Sequence, residues 1–285
     1  MRVLLLSQNG TLVPPERVQA FTSRAFLYGD GLFETVAVIR GTPLFWKEHL
    51  LRLRNGGVLL GIESPENSLW ESWWSALWSA LPDSCRQDRM VLKLVVSRMD
   101  GSGYATPERS PVHAFLFLQD WPDRPSTYWN HGITAGLCPV PLQCGSPYLA
   151  VKSLNRLNQI MARRMTPAEW QEAVLLDREG CIREGIQTNI LWRRGETIES
   201  PDLRDGGVPG IQRDAILSYL GGIGYRIRWV SEPYSTLYDV DEILFSNSLI
   251  GTWAVSRLEE RPFPGREGHL ASVLSEWQKN LGLGA

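Results

Sequence analysis

The sequence predicts an α+β fold divided into two domains. Its predicted strands and helices occur in clusters and do not follow a strict βαβ alternation, which favours separate sheets and helices over one wound parallel sheet. The chain has 285 residues, enough for two medium domains. Residues 119–132, QDWPDRPSTYWNHG, mix Pro, Asp, Ser and Gly between two apolar runs, which is the composition of a linker. We therefore predict a smaller N-terminal α/β domain at 1–120, a linker at 121–132 and a larger C-terminal α+β domain at 133–285.

Composition and charge narrow the possible functions. The net charge is −2 and the pI is near 6.1, so the chain offers no broad cationic field to nucleic acid or to an anionic membrane surface. No apolar stretch approaches the roughly 18 residues of a transmembrane helix, and the short apolar run near the N-terminus does not resemble a signal peptide. The four cysteines and four histidines are scattered, without CxxC or helical i, i+4 spacing. We expect a cytoplasmic protein with reduced thiols, no metal, no nucleic-acid partner and no membrane anchor.

The N-terminal half is predicted to contain strands and one tryptophan-rich helix. Apolar runs rich in β-branched residues predict strands at 36–39, 91–97 and 113–118. Residues 68–81, SLWESWWSALWSAL, repeat Trp and Leu at spacings of three and four, which predicts a helix with one apolar face. Such a helix could anchor the chain to a membrane. Its opposite face carries Glu71 and serines, without basic residues to attract anionic lipid, so we favour packing in a core or an interface.

The C-terminal half is predicted to contain most of the strands. Gly and Pro separate successive apolar runs, with turns expected at 178–180 and at Gly195. The predicted strands are 133–138, 172–177, 180–185, 188–194, 197–200, 225–230 and 242–246. One helix is expected from about Ser153, and another after Pro209 that ends near Gly221 and Gly222.

Lys152 is the first candidate for chemistry. The chain contains 25 arginines and only four lysines, and one of those lysines lies in AVKSLNRLNQ at 150–159. An amine can lose its proton and form a Schiff base, whereas a guanidinium cannot. A lysine kept in an arginine-rich chain therefore indicates possible amine chemistry. The alternative is an ordinary surface lysine at the start of an amphipathic helix, which these ten residues alone would favour.

Other segments could bind a phosphate or a pyridine ring. Arg52 in HLLRLRN supplies fixed positive charge, and the helix that begins at Gly210 and Ile211 would supply unpaired N–H groups and a favourable dipole. The strand end at 243–251 adds hydroxyl groups at Ser246 and Ser248. Each signal is weak alone, because most helical arginines are solvated and every helix has an N-terminus.

Glu184 is a candidate partner for a pyridine nitrogen. It lies at a predicted strand end before Gly185, and Asn189 begins the next strand. A carboxylate held opposite a pyridine nitrogen would keep that nitrogen protonated and make the ring an electron sink. The alternative is a hairpin whose Glu184 side chain points into water.

Six motifs in order resemble the fold-type IV pyridoxal-phosphate enzymes. This family contains branched-chain and D-amino-acid aminotransferases and aminodeoxychorismate lyase, and the resemblance spans roughly residues 20–255. The motifs are RAFLYGDGLFET (24–35), HLLRL (49–53), VKSLNRLNQ (151–159), REGIQTNILW (183–192), PGIQR (209–213) and SNSL (246–249). The resemblance implies the two-domain architecture of these enzymes, a pyridoxal 5'-phosphate cofactor, a small-molecule substrate and a homodimer.

The resemblance also implies roles for individual residues. Lys152 would carry the cofactor covalently and act as the catalytic base, and Glu184 would pair with the pyridine nitrogen. Asn189 would fix the Glu184 loop. The remaining cofactor-binding residues are those expected at the phosphate, namely Arg52, the backbone amides of Ile211 and Gln212, and Ser248.

Several stretches resemble the lyase more than its relatives. They are LKLVVSRMDGSGYATP (92–107) and CPVPLQCGSPYLAVKSLNRLNQ (138–159). Ser102 stands where the lyase pattern carries an arginine before Gly-Tyr, and Gln212 stands where many relatives carry threonine. The residues expected to bind substrate are Tyr28, Phe33, Arg98, as a replacement for that arginine, and Tyr104.

The expected function is that of a 4-amino-4-deoxychorismate lyase, which releases pyruvate and 4-aminobenzoate in folate biosynthesis. A D-amino-acid or branched-chain aminotransferase is the alternative, because Lys152, Arg52 and Glu184 would serve both reactions. A non-catalytic binding protein on the same scaffold is a remote alternative, since a scaffold would not need all three residues.

Overall fold

The computed structural model describes residues 3–13, 24–99, 101, 103–108 and 110–284. The chain forms two compact units. The first comprises Met1–Asp123 and Val151–Asn155, and the second comprises Arg124–Ala150 and Arg156–Ala285. The chain therefore crosses between the units more than once, because Val151–Asn155 returns to the first unit. A single linker, as predicted at 121–132, would give only one crossing.

The first unit is built on an antiparallel sheet. Within its described residues, six strands occur in the order β2-β1-β6-β5-β3-β4. The strands are β1 (Val3–Gln8), β2 (Thr11–Val13), β3 (Gly31–Ile39), β4 (Thr42–Pro43), β5 (Arg89–Arg98) and β6 (Val112–Asp120). The central strands β3, β5 and β6 contain the three N-terminal strands that the apolar runs predict.

In the described part of this unit, three α-helices accompany the sheet: α1 (Arg24–Tyr28), α2 (Trp46–Leu60) and α3 (Asn67–Ala80). The tryptophan-rich helix expected at 68–81 is confirmed as α3. Trp70 and Leu77 are completely buried in the core of the first unit, and Trp73, Trp74 and Trp78 are partly buried against it. The apolar face of α3 is therefore a packing surface, and no helix in the described part of the chain is long and apolar enough to cross a membrane.

The second unit is built on a mixed sheet. Its described strands follow the order β12-β11-β10-β13-β14-β7-β8-β9, and β15 pairs with β14. The strands are β7 (Ile133–Leu137), β8 (Glu172–Leu176), β9 (Ile182–Gly185), β10 (Asn189–Arg194), β11 (Thr197–Pro201), β12 (Arg226–Val230), β13 (Glu242–Asn247), β14 (Gly251–Leu258) and β15 (Arg261–Pro262). The pairs β11/β12, β7/β14 and β7/β8 are parallel, and the others are antiparallel.

The helices of the second unit are α4 (Thr127–Asn130), α5 (Leu157–Met165), α6 (Ile211–Gly222) and α7 (His269–Asn280). Helices α6 and α7 pack on one face of the sheet through Leu217, Leu220, Leu270 and Leu274. The opposite face is covered by a second apolar cluster that includes Trp192, Phe245 and Trp253. The predicted helix after Pro209 is confirmed as α6.

The helix expected from about Ser153 begins later, at Leu157. The expectation was wrong because the preceding residues pair with strand β3 of the first unit. The Phe33 N–H donates to the Lys152 carbonyl at 3.1 Å, and the Leu154 N–H donates to the Gly31 carbonyl at 2.9 Å. This pairing requires an extended backbone, which is incompatible with a helix.

Candidate functional site

Strand β3 determines where Lys152 lies in the first unit. Besides the two backbone hydrogen bonds, Ser153 forms an isolated antiparallel bridge with Leu32. The Lys152 Nζ lies 4.4 Å from the centroid of the Phe33 ring, within the range of a cation–π contact. The structure thus brings the predicted catalytic lysine next to a predicted substrate-binding residue.

Helix α2 places His49 and Arg52 on one face, beside Glu34 of strand β3. Arg52 donates through Nε to Glu34 Oε1 at 2.7 Å and through Nη2 to Glu34 Oε2 at 2.5 Å. His49 Nδ1 lies 2.7 Å from Glu34 Oε2. Arg52 was predicted from the sequence, but Glu34 and His49 were not. The available signals were a carboxylate inside an otherwise apolar strand and the i, i+3 spacing of His49 and Arg52.

The surroundings of Glu34 and His49 determine whether each side chain is protonated. Burial alone would raise the pKa of Glu34, but the Arg52 charge, together with hydrogen bonds from Arg52 and His49, outweighs burial and holds it at about 2. Burial lowers the pKa of His49, and the charges of Arg52 and Lys152 act in the same direction against the opposing effect of Glu34. Glu34 is therefore ionised at neutral pH, and a neutral His49 donates its Nδ1–H to it.

The predicted substrate residues Tyr28 and Tyr104 lie together. Their ring centroids are 5.7 Å apart. Arg24 supports the arrangement, because its Nη1 donates to the Gly103 carbonyl at 2.8 Å and its guanidinium lies over the Tyr28 ring at 5.2 Å. Ser102, the departure from the lyase pattern, lies outside the described residues. The pair therefore presents aromatic surface held by an arginine that the sequence did not single out.

Arg98, a predicted substrate-binding residue, lies almost buried in the first unit. Its guanidinium donates to Asp30 Oδ2 at 3.1 Å, to the Gly61 carbonyl at 2.7 Å and to the Leu60 carbonyl at 2.8 Å, and the residue is only 5 % exposed. Each of its three nitrogens thus binds an acceptor within the first unit, two of them at the end of α2. These contacts hold the Arg98 guanidinium within the first unit, and its expected role as a replacement for the missing substrate-binding arginine stays a prediction.

Glu184 and Asn189 lie where the sequence predicts, at the end of β9 and the start of β10 of the second unit. Both are 5 % exposed. The Val208 N–H donates to Glu184 Oε2 at 2.8 Å, and Asn189 Nδ2 donates to the Val208 carbonyl at 2.9 Å. A Cβ atom at Gly210 would lie 1.8 Å from Asn189 Oδ1, so this close approach requires glycine.

A second carboxylate, Glu172, supports the turn between β9 and β10. It accepts hydrogen bonds from the Ile186 N–H at 2.8 Å, the Gln187 N–H at 3.3 Å and Thr188 Oγ1 at 2.8 Å. Burial raises the pKa of Glu172, and these donors oppose that effect. No local pattern in the sequence points to Glu172, because its partners in this turn lie 14 to 16 residues away along the chain.

The start of α6 offers backbone donors at the predicted positions. The Asp214 N–H makes the first intrahelical hydrogen bond, to the Gly210 carbonyl at 3.0 Å, so the N–H groups of Ile211 and Gln212 precede the helical ladder. Gln212 is 1 % exposed, and neither polar atom of its carboxamide has a hydrogen-bond partner among the described residues. A buried, unpartnered amide is costly, so this position is suited to a polar ligand.

Ser248 lies in a turn that Asn247 shapes. Asn247 Oδ1 accepts from the N–H groups of Leu249 and Ile250, both at 3.0 Å, and its Nδ2 donates to the Gln187 carbonyl at 3.1 Å. Ser248 is partly exposed, whereas Ser246 is fully buried with its Oγ lacking a partner among the described residues. Of the two serines, Ser248 is the more accessible hydroxyl.

Each unit, taken by itself, offers groups of the kind that pyridoxal phosphate needs. The open N–H groups at the start of α6 and the unpartnered Gln212 amide suit a phosphate, because a helix N-terminus favours an anion. Glu184 is a buried carboxylate of the kind that a pyridinium nitrogen needs, and Lys152 supplies an amine. Among the described residues, no group of three or more His, Cys, Asp or Glu side chains is arranged to hold a metal ion.

Comparison with known proteins agrees with the resemblance to fold-type IV enzymes. A family model described as amino-transferase class IV matches residues 31–258. The crystal structure of 4-amino-4-deoxychorismate lyase from Pseudomonas aeruginosa superposes with a TM-score of 0.86 at 31% identity, covering 97% of this chain and 98% of that one.

Two curated relatives represent different activities. Aminodeoxychorismate lyase from Vibrio harveyi is 27% identical over 235 residues, or 82% of this chain and 84% of the relative. A putative branched-chain-amino-acid aminotransferase from Methanocaldococcus jannaschii is 27% identical over 280 residues, or 96% of this chain and 94% of the relative.

The family match spans most of the chain, and the superposition covers nearly all of it. Fold-type IV aminotransferases use pyridoxal phosphate, and solved structures with this fold include forms bound to it or to pyridoxamine phosphate. The chain belongs to the class IV aminotransferase family of enzymes and has the fold-type IV architecture.

Proposed function

We propose that this enzyme is a pyridoxal-phosphate-dependent 4-amino-4-deoxychorismate lyase, which releases pyruvate and 4-aminobenzoate for folate biosynthesis. The observation that carries the proposal is the 31% identity to the Pseudomonas aeruginosa lyase over almost the full length of both chains. The stretches at 92–107 and 138–159 support it, because they resemble the lyase more than the aminotransferases of the same fold.

We assign the cofactor-binding roles residue by residue. Lys152 carries the cofactor, Glu184 binds the pyridine nitrogen, and Asn189 supports Glu184 through Val208. Arg52, the amides of Ile211 and Gln212, and Ser248 bind the phosphate. When bound, the cofactor supplies an electron sink that stabilises negative charge on the substrate carbon.

The chemistry of the chain itself centres on Lys152. Once the substrate amine has displaced it, the free Lys152 amine removes the proton from the carbon that bears the substrate amine. Pyruvate then leaves from the adjacent carbon, and the remaining ring becomes aromatic. Phe33, Tyr28 and Tyr104 are proposed to provide the aromatic surface for this ring.

An aminotransferase acting on D- or branched-chain amino acids is the second candidate. The Methanocaldococcus jannaschii relative favours it, because it matches this chain over a longer stretch than the Vibrio harveyi lyase does at the same identity. Both reactions begin with removal of a proton by Lys152. In the lyase reaction pyruvate then leaves, whereas in transamination the carbon skeleton of the substrate stays intact.

Product analysis separates the two functions. Purified protein loaded with cofactor would be incubated with aminodeoxychorismate, and separately with D-alanine or leucine plus a keto acid. We expect 4-aminobenzoate and pyruvate to form faster than any transaminated product, and Lys152→Ala to form none. Amino-group transfer without 4-aminobenzoate would replace the lyase assignment by the aminotransferase.

We further propose a homodimer. Apolar side chains are exposed on α2, at Leu51, Val58 and Leu59, and on α5, at Leu157 and Ile160. Exposed apolar faces of this kind favour contact with another protein surface. Light scattering after size exclusion should give twice the chain mass of 32.2 kDa, and a monomer at micromolar concentration would contradict the proposal.

A further inference from the structure

We infer that Glu34 is a positioning residue, which fixes the guanidinium of Arg52 in the orientation needed to bind the cofactor phosphate. The inference rests on the proposed function, in which Arg52 binds that phosphate. It concerns a residue to which no role was assigned from the sequence.

The first observation is the geometry of the contact. Arg52 uses Nε and Nη2, two nitrogens on one edge of its guanidinium, to bind both oxygens of Glu34. A paired contact of this kind sets the plane of the guanidinium as well as its distance. It also turns the Nη1 group, on another edge of the same plane, away from the carboxylate.

The second observation is that Glu34 is itself immobilised. Its side chain is 1 % exposed, and it projects from the centre of strand β3, which pairs with β5 along its full length. His49 Nδ1 holds one of its oxygens at 2.7 Å. Arg52 is 19 % exposed, so a rigid, buried carboxylate orients a more accessible arginine.

The third observation concerns charge. With Glu34 ionised and His49 neutral, the three side chains carry no net charge. A phosphate dianion near Arg52 therefore gains less from net positive charge than from a guanidinium whose orientation is fixed in advance. Because ordering a long side chain opposes binding, an arginine fixed in advance binds more tightly than a mobile one.

The test compares pyridoxal phosphate with pyridoxal, which lacks the phosphate. Both can attach to Lys152, so the ratio of their dissociation constants isolates the phosphate contribution. Apoenzyme binding would be measured by absorbance and by equilibrium dialysis for wild type, Glu34→Gln, Arg52→Gln and the double variant. Glu199→Gln is the matched control, because Glu199 is also a buried carboxylate bound to an arginine, Arg228, at 2.9 Å.

We expect Glu34→Gln to reduce the preference for pyridoxal phosphate at least tenfold while pyridoxal affinity changes less than twofold. The double variant should match Arg52→Gln, because Glu34 acts through Arg52. Glu199→Gln should keep the wild-type ratio. An unchanged ratio in Glu34→Gln, or an equal loss for both ligands, would overturn the inference.

A second variant covers the case in which Glu34→Gln does not fold. Arg52→Lys keeps the charge but cannot form the paired contact. We expect it to lose most of the phosphate preference, and retention of that preference would show that charge alone suffices. If wild type shows no preference for pyridoxal phosphate, or Arg52→Gln leaves the preference unchanged, the proposed phosphate role of Arg52 itself fails. Failure in Glu34→Gln alone leaves that role standing.

Discussion

Glu184 and Asn189 hold the same peptide segment from two sides. Glu184 accepts the N–H of Val208 at 2.8 Å, and Asn189 donates to the carbonyl of Val208 at 2.9 Å. The two residues flank the turn between β9 and β10, and Glu172 fixes that turn from within the second unit. Val208 precedes the start of α6 by three residues, so one set of hydrogen bonds connects the proposed pyridine-binding carboxylate with the proposed phosphate-binding helix.

Asn189→Ala tests this connection. It removes the donor to the Val208 carbonyl, so we expect a loss of about 1 kcal/mol in the free energy of unfolding and weaker cofactor binding. Urea denaturation and cofactor titration measure the two effects. Asn158→Ala is the control, because it removes an Asn-to-carbonyl hydrogen bond of 3.1 Å elsewhere in the same unit. Equal cofactor affinity in wild type and Asn189→Ala would argue against the connection.

Borohydride reduction tests Lys152 as the cofactor-bearing residue. The reagent should fix pyridoxal phosphate on Lys152, and peptide mapping identifies the modified residue. Lys93 is the strongest competitor, because its Nζ lies 5.7 Å from the same Phe33 ring and burial lowers its pKa. Label on Lys93, Lys47 or Lys279 with Lys152 unmodified would refute the central assignment.

Arg98→Ala separates structural from substrate-binding roles. The change removes hydrogen bonds from a buried guanidinium to Asp30, Leu60 and Gly61, so we expect the free energy of unfolding to fall by about 3 kcal/mol. Urea denaturation measures the loss. A rise of tenfold or more in KM for aminodeoxychorismate, with stability unchanged, would instead support Arg98 as a substrate ligand.

The lowered pKa of His49 predicts a pH dependence of stability. As pH falls below the ordinary value of 6.5, His49 takes up a proton in the unfolded chain before it does so in the folded protein, so stability decreases with falling pH. The Glu34 contribution disappears only below about pH 4.5, because its folded pKa is about 2. Between pH 7.5 and 5.5, the contribution of Glu34 to stability therefore stays constant, and of these two residues only His49 changes its contribution.

His49→Asn isolates this effect, because asparagine keeps an N–H donor near the Nδ1 position. We expect the variant to lose less stability than wild type between pH 7.5 and 5.5, by up to about 1.4 kcal/mol per pH unit below 6.5. Denaturation at both pH values measures the difference. The same pH dependence in both proteins would mean that His49 titrates normally in the folded state.

Local patterns in the sequence account for much of the fold. The spacing of Trp and Leu predicts α3, and the runs of β-branched residues predict the central strands β3, β5 and β6. The strand end at Glu184 and the strand start at Asn189 follow from the Gly and polar residues between two apolar runs. These features depend on neighbouring residues, so periodicity and turn chemistry are sufficient to locate them.

The sequence by itself determined the class of fold, the family through its motifs, and the chemical candidates Lys152, Arg52 and Glu184. Only the tertiary structure decided that the Lys152 segment extends along β3 instead of beginning a helix, and that Arg98 is occupied by backbone carbonyls. It alone paired Glu34 with Arg52, 18 residues away, and Asn189 with Val208, 19 residues away. The physical reason is that a hydrogen bond depends on where packing brings donor and acceptor together, and local sequence patterns do not record such long-range contacts.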